Sequence, residues 1–390
     1  MIAEPVLVEP VLAESVIAES VIAASDHATA LADLLAVPQY THPQETKSER
    51  LRAELAALTS HHRACSEPYA RMVNALFPHV QHGISSLADV PWVPVGLFKS
   101  HQLQSIADTD IATVLVSSGT SGQQPSRIVL DREAAAQQRT ALASIMGTLL
   151  GPKRLPMLVI DTPSIIKGRG ALSARGAGVL GMMTFGAAHA FALDDTLVPQ
   201  PEIIARFLER HGHAPFLMFG FTFLAWQALV EQMPAGSMDL SQGILVHSGG
   251  WKKLIERSVS DVVFKDRLRE QTGLARVHNF YGMVEQIGGV FLEGDDGLLY
   301  PPDFADVIVR DPRTLDVVPH GTEGVIQVLS LLPRSYPGHS ILTEDRGVIV
   351  HEDAPGASRR GKGFVVLGRV PRAELRGCSD VIATTAAASL

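Results

Sequence analysis

Apolar positions along the chain fall in short bounded blocks, and the spacing of those blocks changes from one third of the sequence to the next. From residue 111 onward, compact β-branched blocks alternate with longer amphipathic stretches. "IATVLV" at 111–116 predicts a strand and "DREAAAQQRTALASIMGTLL" at 131–150 a helix. "LPMLVID" at 155–161 is a second strand and "PEIIARFLERHG" at 201–212 a second helix. "APFLMFGF" at 214–221 and "QGILVHSGG" at 242–250 are further strands, with "FLAWQALVEQM" helical between them. Strands alternating with helices imply parallel pairing and an α/β architecture. The last third reads differently. "ADVIVRDP", "GVIQVLSLL", "GVIVHED" and "GFVVLGR" are strands joined by short turns, which predicts a second, mostly antiparallel β subdomain.

The first third is helical. Leu51, Leu55 and Leu58 keep helical spacing within a predicted helix over 44–78 that turns near Pro68. Ahead of it, residues 2–26 repeat with a period of five, "IAEPV LVEPV LAESV IAESV IAASD", which matches neither helix nor strand. Such a biased segment reads as a disordered or weakly helical tail, or as a helix that docks on a partner. The expected organisation is a low-complexity tail over 1–35, an α/β core over 36–330, and a small β subdomain with a short C-terminal arm over 331–390.

Composition narrows the class. Apolar residues make up 46% and charged residues 19% of the chain, a soluble globular balance. A net charge of −8 excludes a protein that wraps nucleic acid with a basic surface, while leaving room for a local basic pocket. The two cysteines, Cys65 and Cys378, are too few for a disulfide framework or a thiolate metal cluster, so a reducing cytoplasm is the expected setting. Cys65 is expected as a buried inert thiol. Neither a bilayer-spanning apolar run nor a secretory signal is read in the sequence. "SHHRAC" at 60–65 reads as helical surface and no structural metal is expected; His247 reads as a satisfied strand-end histidine ahead of a catalytic one.

The sharpest chemical feature is "VLVSSGTSGQQPSRI" at 114–128. Glycines leaving a strand allow backbone N–H groups to converge on an anion, and Ser117, Ser118, Thr120 and Ser121 add hydroxyl donors around Gly119 and Gly122. Composition alone leaves a mobile surface loop equally open. No Gly-Lys-[Ser/Thr] follows Gly119, and the glycine spacing is not that of a dinucleotide fold.

This stretch resembles the phosphate loop of the adenylate-forming enzymes, the acyl- and aryl-CoA synthetases and their relatives. Four more segments resemble that superfamily's motifs in its order: "HSGG" at 247–250, "NFYGMVEQ" at 279–286, "LTEDRG" at 342–347 and "LGRVPRAELRG" at 367–377. "VPWVPVGLFKSHQL" and "LRGCSD" are similar to the acyl-protein synthetase branch, the LuxE-type long-chain-fatty-acid–luciferin-component ligases. The resemblance implies that fold, mixed and parallel sheets flanked by helices, without a full C-terminal lid domain. It implies ATP and Mg²⁺ as cofactors and a carboxylic acid as substrate, with walls including parts of "FGFTFLAW" and "GMVEQIGGV".

The resemblance also assigns roles. Gly249 and Gly250 form the turn against adenine, Tyr281 covers its face, and Gly282 makes a tight turn. Glu285 supplies hard oxygens for Mg²⁺. Asp345 accepts from the ribose hydroxyls and Arg369 reaches the same ribose or a phosphate. A lysine usual after the loop's proline is replaced here by Ser126-Arg127, so Arg127 stands in for its charge, with Lys99, Lys252 and Lys253 as other candidates. Cys378 is the implied acyl-accepting thiol, with Arg376 favouring its thiolate. Other acyl acceptors are coenzyme A, a carrier-protein thiol or an amine, and a reductase is a candidate partner. A non-catalytic scaffold is the remaining alternative.

Overall fold

The computed structural model describes residues 27–116, 125–166, 174–251 and 258–370. Helix α1 covers 27–36 and is followed by α2 (Gln44–Cys65) and α3 (Glu67–Leu76). A short strand β1 (Val93–Pro94) and one helical turn, α4 (Leu97–Ser100), lead to β2 (Thr113–Val116) and β3 (Arg127–Leu130). The α/β stretch then runs α5 (Arg132–Leu150), β4 (Leu155–Ile160), α6 (Ala174–Met183), β5 (Gly186–Phe191), α7 (Pro201–His211), β6 (Phe216–Phe221), α8 (Thr222–Trp226), β7 (Gly243–Ser248), α9 (Asp261–Thr272) and β8 (Arg276–Tyr281). Six strands complete the chain: β9 (Phe291–Glu293), β10 (Leu299–Tyr300), β11 (Ala305–Arg310), β12 (Gly324–Ser330), β13 (Ser340–Glu352) and β14 (Lys362–Arg369).

Local chemistry sets several boundaries. Asp131 caps α5 by accepting a hydrogen bond from the Ala134 amide, and Gly151 at φ +74° ends it. Ser260 caps α9, which stops at left-handed Gly273. Pro68 sits in the first turn of α3, where its missing N–H costs nothing.

Among the described residues, one twelve-stranded sheet dominates, in the order β11-β12-β13-β14-β10-β9-β8-β7-β6-β4-β5, with β1 added parallel to β13. Strands β4 to β8 pair in parallel. The central residues of β4 and β6 are apolar at every position because both faces are covered, whereas β7 carries His247 and β8 carries His278 and Asn279. Leu158, Ile160, Phe216, Met218 and Leu245 pack with α7, α8 and α9 on one face. Met157, Val159, Leu217, Phe219 and Val246 pack on the other. The parallel α/β prediction holds for this half. An antiparallel step from β8 to β9 joins it to the antiparallel strands, so residues 331–370 continue the same sheet as β8.

Four sequence expectations are corrected. The predicted strand at 111–116 is not a member of the parallel set: β2 pairs antiparallel with β3 as a separate two-stranded sheet, with Val114 and Val116 partly exposed. Strand β5, "GAAHAF", was not predicted, because its small residues lack a β-branched signature. Residues 27–35, assigned to the tail, are helical, with Leu31 and Leu34 buried one turn apart. Finally, the 60–65 cluster is inverted. Cys65 is exposed, whereas His62 is fully buried on the stripe of Leu51, Leu55 and Leu58, stacked 4.8 Å from His339 and bonded to Ser105 Oγ and Pro333 O. His62 lies eleven residues after Leu51, three helical turns along one face.

Candidate active site

Parallel strands carry their C-terminal ends to one edge, the usual place for a ligand in such sheets. Here that edge holds Ile160, Phe221, Ser248 and Tyr281 at the ends of β4, β6, β7 and β8. The pairing of His247 with Asn279 and of Ser248 with Phe280 sets the turns after β7 and β8 side by side. Ser248 Oγ donates to Phe280 O at 3.0 Å, tying those ends together.

Gly249 follows β7 at φ +82°, a left-handed conformation that excludes most other residues. A Cβ there would lie 3.2 Å from the Phe221 ring, whereas one on Gly250 would meet open space. The Gly249–Gly250 backbone is therefore both turned and uncovered, as a flat ligand ring needs. Gly282 does not adopt positive φ; a Cβ there would come within 3.1 Å of the Val290 side chain, a crowding that glycine avoids.

The structure brings three predicted residues together. Asp345 and Arg369 face each other in the β13–β14 ladder, and Tyr281 reaches them from β8. The Tyr281 hydroxyl donates to Asp345 Oδ2 at 2.7 Å, and Arg369 Nε lies 3.9 Å from Oδ1. The Tyr281 ring packs against Phe291 and Phe364. The Asp345 amide donates to Thr343 Oγ1, whose hydroxyl is held by Ile326 O, so the carboxylate stands on a bonded backbone. Burial raises the Asp345 carboxyl above its ordinary value, opposed by the Tyr281 hydrogen bond and the Arg369 charge. Burial, then the Asp345 charge, lifts the Tyr281 phenol well above its usual range, so it stays a donor. One carboxylate oxygen is thus occupied and the other faces a 74% exposed guanidinium. A pair so exposed adds little stability, which leaves both charges available to a ligand.

Glu285 lies in the 3-10 turn Val284–Gln286, just after the Tyr281 strand, and is 7% exposed. Its carboxylate accepts no hydrogen bond and makes no ion pair with any described residue. A carboxylate on a largely buried residue, unpaired among the described residues, suits a cation. Among the described residues there is no group of three or more His, Cys, Asp or Glu that could hold a metal, so Glu285 would act alone with ligand oxygens, as Mg²⁺ sites with phosphates allow.

Of the remaining predicted residues, Arg127, Lys99 and His247 are described. Arg127 opens β3, exposed and paired in register with Val116, at the two ends of the connection that carries the Ser/Gly/Thr run. Ser117, Ser118, Gly119, Thr120, Ser121, Gly122, Lys252, Lys253, Arg376 and Cys378 lie outside the described residues. Lys99 sits on α4, which follows β1, the strand paired with β13 at Ile341 and Leu342. His247 is buried; its Nδ1 bonds Thr222 Oγ1 at 2.9 Å, and burial pushes the imidazole down to about 3. It packs 4.8 Å from Phe264 of α9, in the core beneath the edge. Sequence reading missed the supporting Ser248 and Thr343, although both stand inside quoted motifs, "HSGG" and "LTEDRG".

The fold is that of the adenylate-forming ligases: a structure of 2-hydroxyisobutyryl-CoA ligase with 2-HIB-AMP superposes with a TM-score of 0.62 at 16% identity, covering 85% of this chain and 69% of that one. The chain belongs to the acyl-protein synthetase (LuxE) family, whose family model matches residues 14–386, and it is a ligase. The long-chain-fatty-acid–luciferin-component ligase of Vibrio harveyi is 22% identical over 368 residues, 90% of this chain and 92% of that one. The ligase of the same name from Aliivibrio fischeri is 21% identical over 323 residues, 80% and 82% of the two chains. Among the described residues no helix is long and apolar enough to cross a membrane.

Proposed function

We propose that this ligase activates a carboxylic acid with ATP and passes the acyl group to a thiol, its own Cys378. A fatty acid, as in the names of the two relatives, is the substrate class first to be tested. In the first step a carboxylate oxygen attacks the α-phosphorus, the bond to the pyrophosphate oxygen breaks, and an acyl-adenylate forms. In the second, a thiolate attacks the acyl carbonyl and AMP departs with the former carboxylate oxygen. Both steps depend on positioning and on donors set before reaction.

The observation that carries this reading is the convergence of Tyr281, Asp345 and Arg369 beside the Gly249–Gly250 turn, at the strand-end edge of the sheet. The free Asp345 oxygen would accept from a ribose diol, and Arg369 would steer a phosphate. Glu285 would hold Mg²⁺, which neutralises phosphate charge when bound. The Ser117–Gly122 run would donate to the phosphates, with Arg127 at its end supplying a guanidinium in place of the usual ammonium. The low cysteine content fits a cytoplasmic setting.

Acid-dependent exchange of pyrophosphate into ATP, run over fatty, aryl and amino acids with Mg²⁺, tests the first step. Exchange with one acid class is expected; silence with every acid in folded protein abandons the reading. Cys378→Ser separates the second step. Exchange should persist in this variant, while radiolabelled acyl-protein disappears; label retained on the variant would move the acceptor elsewhere.

A further inference from the structure

We propose that the chain holds a second ligand site, for a small phosphate-bearing molecule, on the side of the sheet opposite the adenylation edge. A cavity of about 670 Å³ opens where β8 begins, lined by Ala275, Arg276 and Val277. Tyr281 lies at the far end of the same strand, five residues on, or about 17 Å away at the usual rise. The two sites are therefore distinct places joined by one strand.

The lining of this cavity runs against the charge of the whole molecule. The chain carries −8 overall, yet Lys265, Arg269, Arg276 and Arg359 line the cavity against a single lining carboxylate, Asp295. Lys265 is already matched, bonded to Glu293 at 2.5 Å and to Asp261 at 2.7 Å. Arg269 has only a surface contact with Asp266 at 3.4 Å. Arg276 and Arg359 have no carboxylate partner among the described residues. Arg359 is nonetheless fixed: it donates to Leu292 O at 2.6 Å and lies 4.0 Å over the buried Tyr40 ring. A guanidinium held in place by packing, facing a cavity and lacking an anion, is preorganised for one.

Thr41 and Thr148 also line the cavity, but their hydroxyls donate to Pro38 O at 3.0 Å and to Ile145 O at 2.7 Å, which leaves the arginines as its main donors. These come from three places: Arg269 from α9, Arg276 from the start of β8 and Arg359 from the segment at 358–359. A phosphate presents three oxygens around a tetrahedron and accepts from donors converging in this way, whereas a planar carboxylate meets them with two. The volume suits a small metabolite rather than a polymer.

Calorimetric titration of the full chain with inorganic phosphate, pyrophosphate and acetate at low salt tests the site. Phosphate and pyrophosphate are expected to bind and acetate not to. Arg276 is exposed, so Arg276→Glu should fold normally, and circular dichroism checks this; it should weaken pyrophosphate binding by at least about tenfold. Arg359→Gln, which keeps a hydrogen-bonding side chain, should weaken it as well. Asp345→Ala, at the adenylation edge, should leave it unchanged, so failure here and failure of the exchange assay are read separately. Equal affinity in both arginine variants, equal binding of acetate, or loss of binding in Asp345→Ala overturns the proposal.

Discussion

The two halves of the large sheet divide the labour of the candidate site in different ways. In the parallel half, Met157 to Ile160, Phe216 to Phe219 and Ile244 to Val246 are essentially unexposed and apolar, and function is left to the backbone at their ends. Gly249 and Gly282 belong there because the first adopts a left-handed turn and a Cβ on the second would crowd Val290. In the antiparallel half, buried polar groups occur inside the strands themselves. Arg310 Nε donates to Gln327 Oε1, Lys362 Nζ to Asp306 Oδ2, and Asp345 sits opposite Arg369. The parallel half supplies a shaped edge and the antiparallel half the charged side chains aimed at it. Tyr281 is the bridge, since it ends the last parallel strand and bonds the other half's carboxylate.

The comparison can be broken most severely by acid, because both halves bury neutral histidines. His247 and His339 are pushed by burial down to about 3, and His278 to about 4, from an ordinary 6.5. Between those values the unfolded chain binds protons that the folded chain refuses. Stability is therefore whole above pH 6.5 and is lost as pH falls toward 4, by on the order of several kcal/mol. Urea midpoints measured from pH 7.5 to 5 should fall steadily, and His339→Gln should flatten part of that slope. A flat profile would mean that these imidazoles charge in place.

Truncating the parallel core comes next. Phe219 is fully buried, and Phe219→Ala should cost about 3–5 kcal/mol in urea unfolding. Asp345→Ala sharpens the contrast from the other side. It should reduce pyrophosphate exchange by about a hundredfold, the scale of losing one preorganised polar contact, while costing only about 1–2 kcal/mol in unfolding through the stranded Tyr281 hydroxyl. Tyr281→Phe is milder, removing one hydrogen bond worth about 1 kcal/mol and raising the KM for ATP more than it lowers kcat. The smallest stability change, within about 0.5 kcal/mol, is expected for Arg369→Ala, since exposed ion pairs contribute little; its exchange rate should still fall.

Much of this was legible in the chain because it depends on local rules. The alternation of apolar blocks and helical stretches predicted β4, β6 and β7 with α5 and α7, since parallel strands covered on both faces are apolar through most of their length. Misses occurred where local rules were silent. Strand β5 is built of small residues that carry no period, and β2 pairs with β3 rather than entering the main sheet, a choice between partners that a β-branched run does not encode. The stripe of α2 continued one step past its leucines to His62, because an imidazole with both nitrogens bonded can be buried as an apolar residue can.

The order of the chain by itself determined the α/β pattern and the motif residues Tyr281, Gly282, Glu285, Asp345 and Arg369. It also placed the Ser/Gly/Thr run between a strand and the capped start of α5. Only the tertiary structure decided that a tyrosine 64 positions before an aspartate would bond it, because that distance is closed by the register of β13 on β14 and by the antiparallel step after β8. The cationic cavity at the start of β8 was decided there too. Arg269 and Arg276 lie near each other in the chain but Arg359 is more than eighty residues away, and charge becomes informative only when folding gathers it in one place with too few carboxylates to answer it.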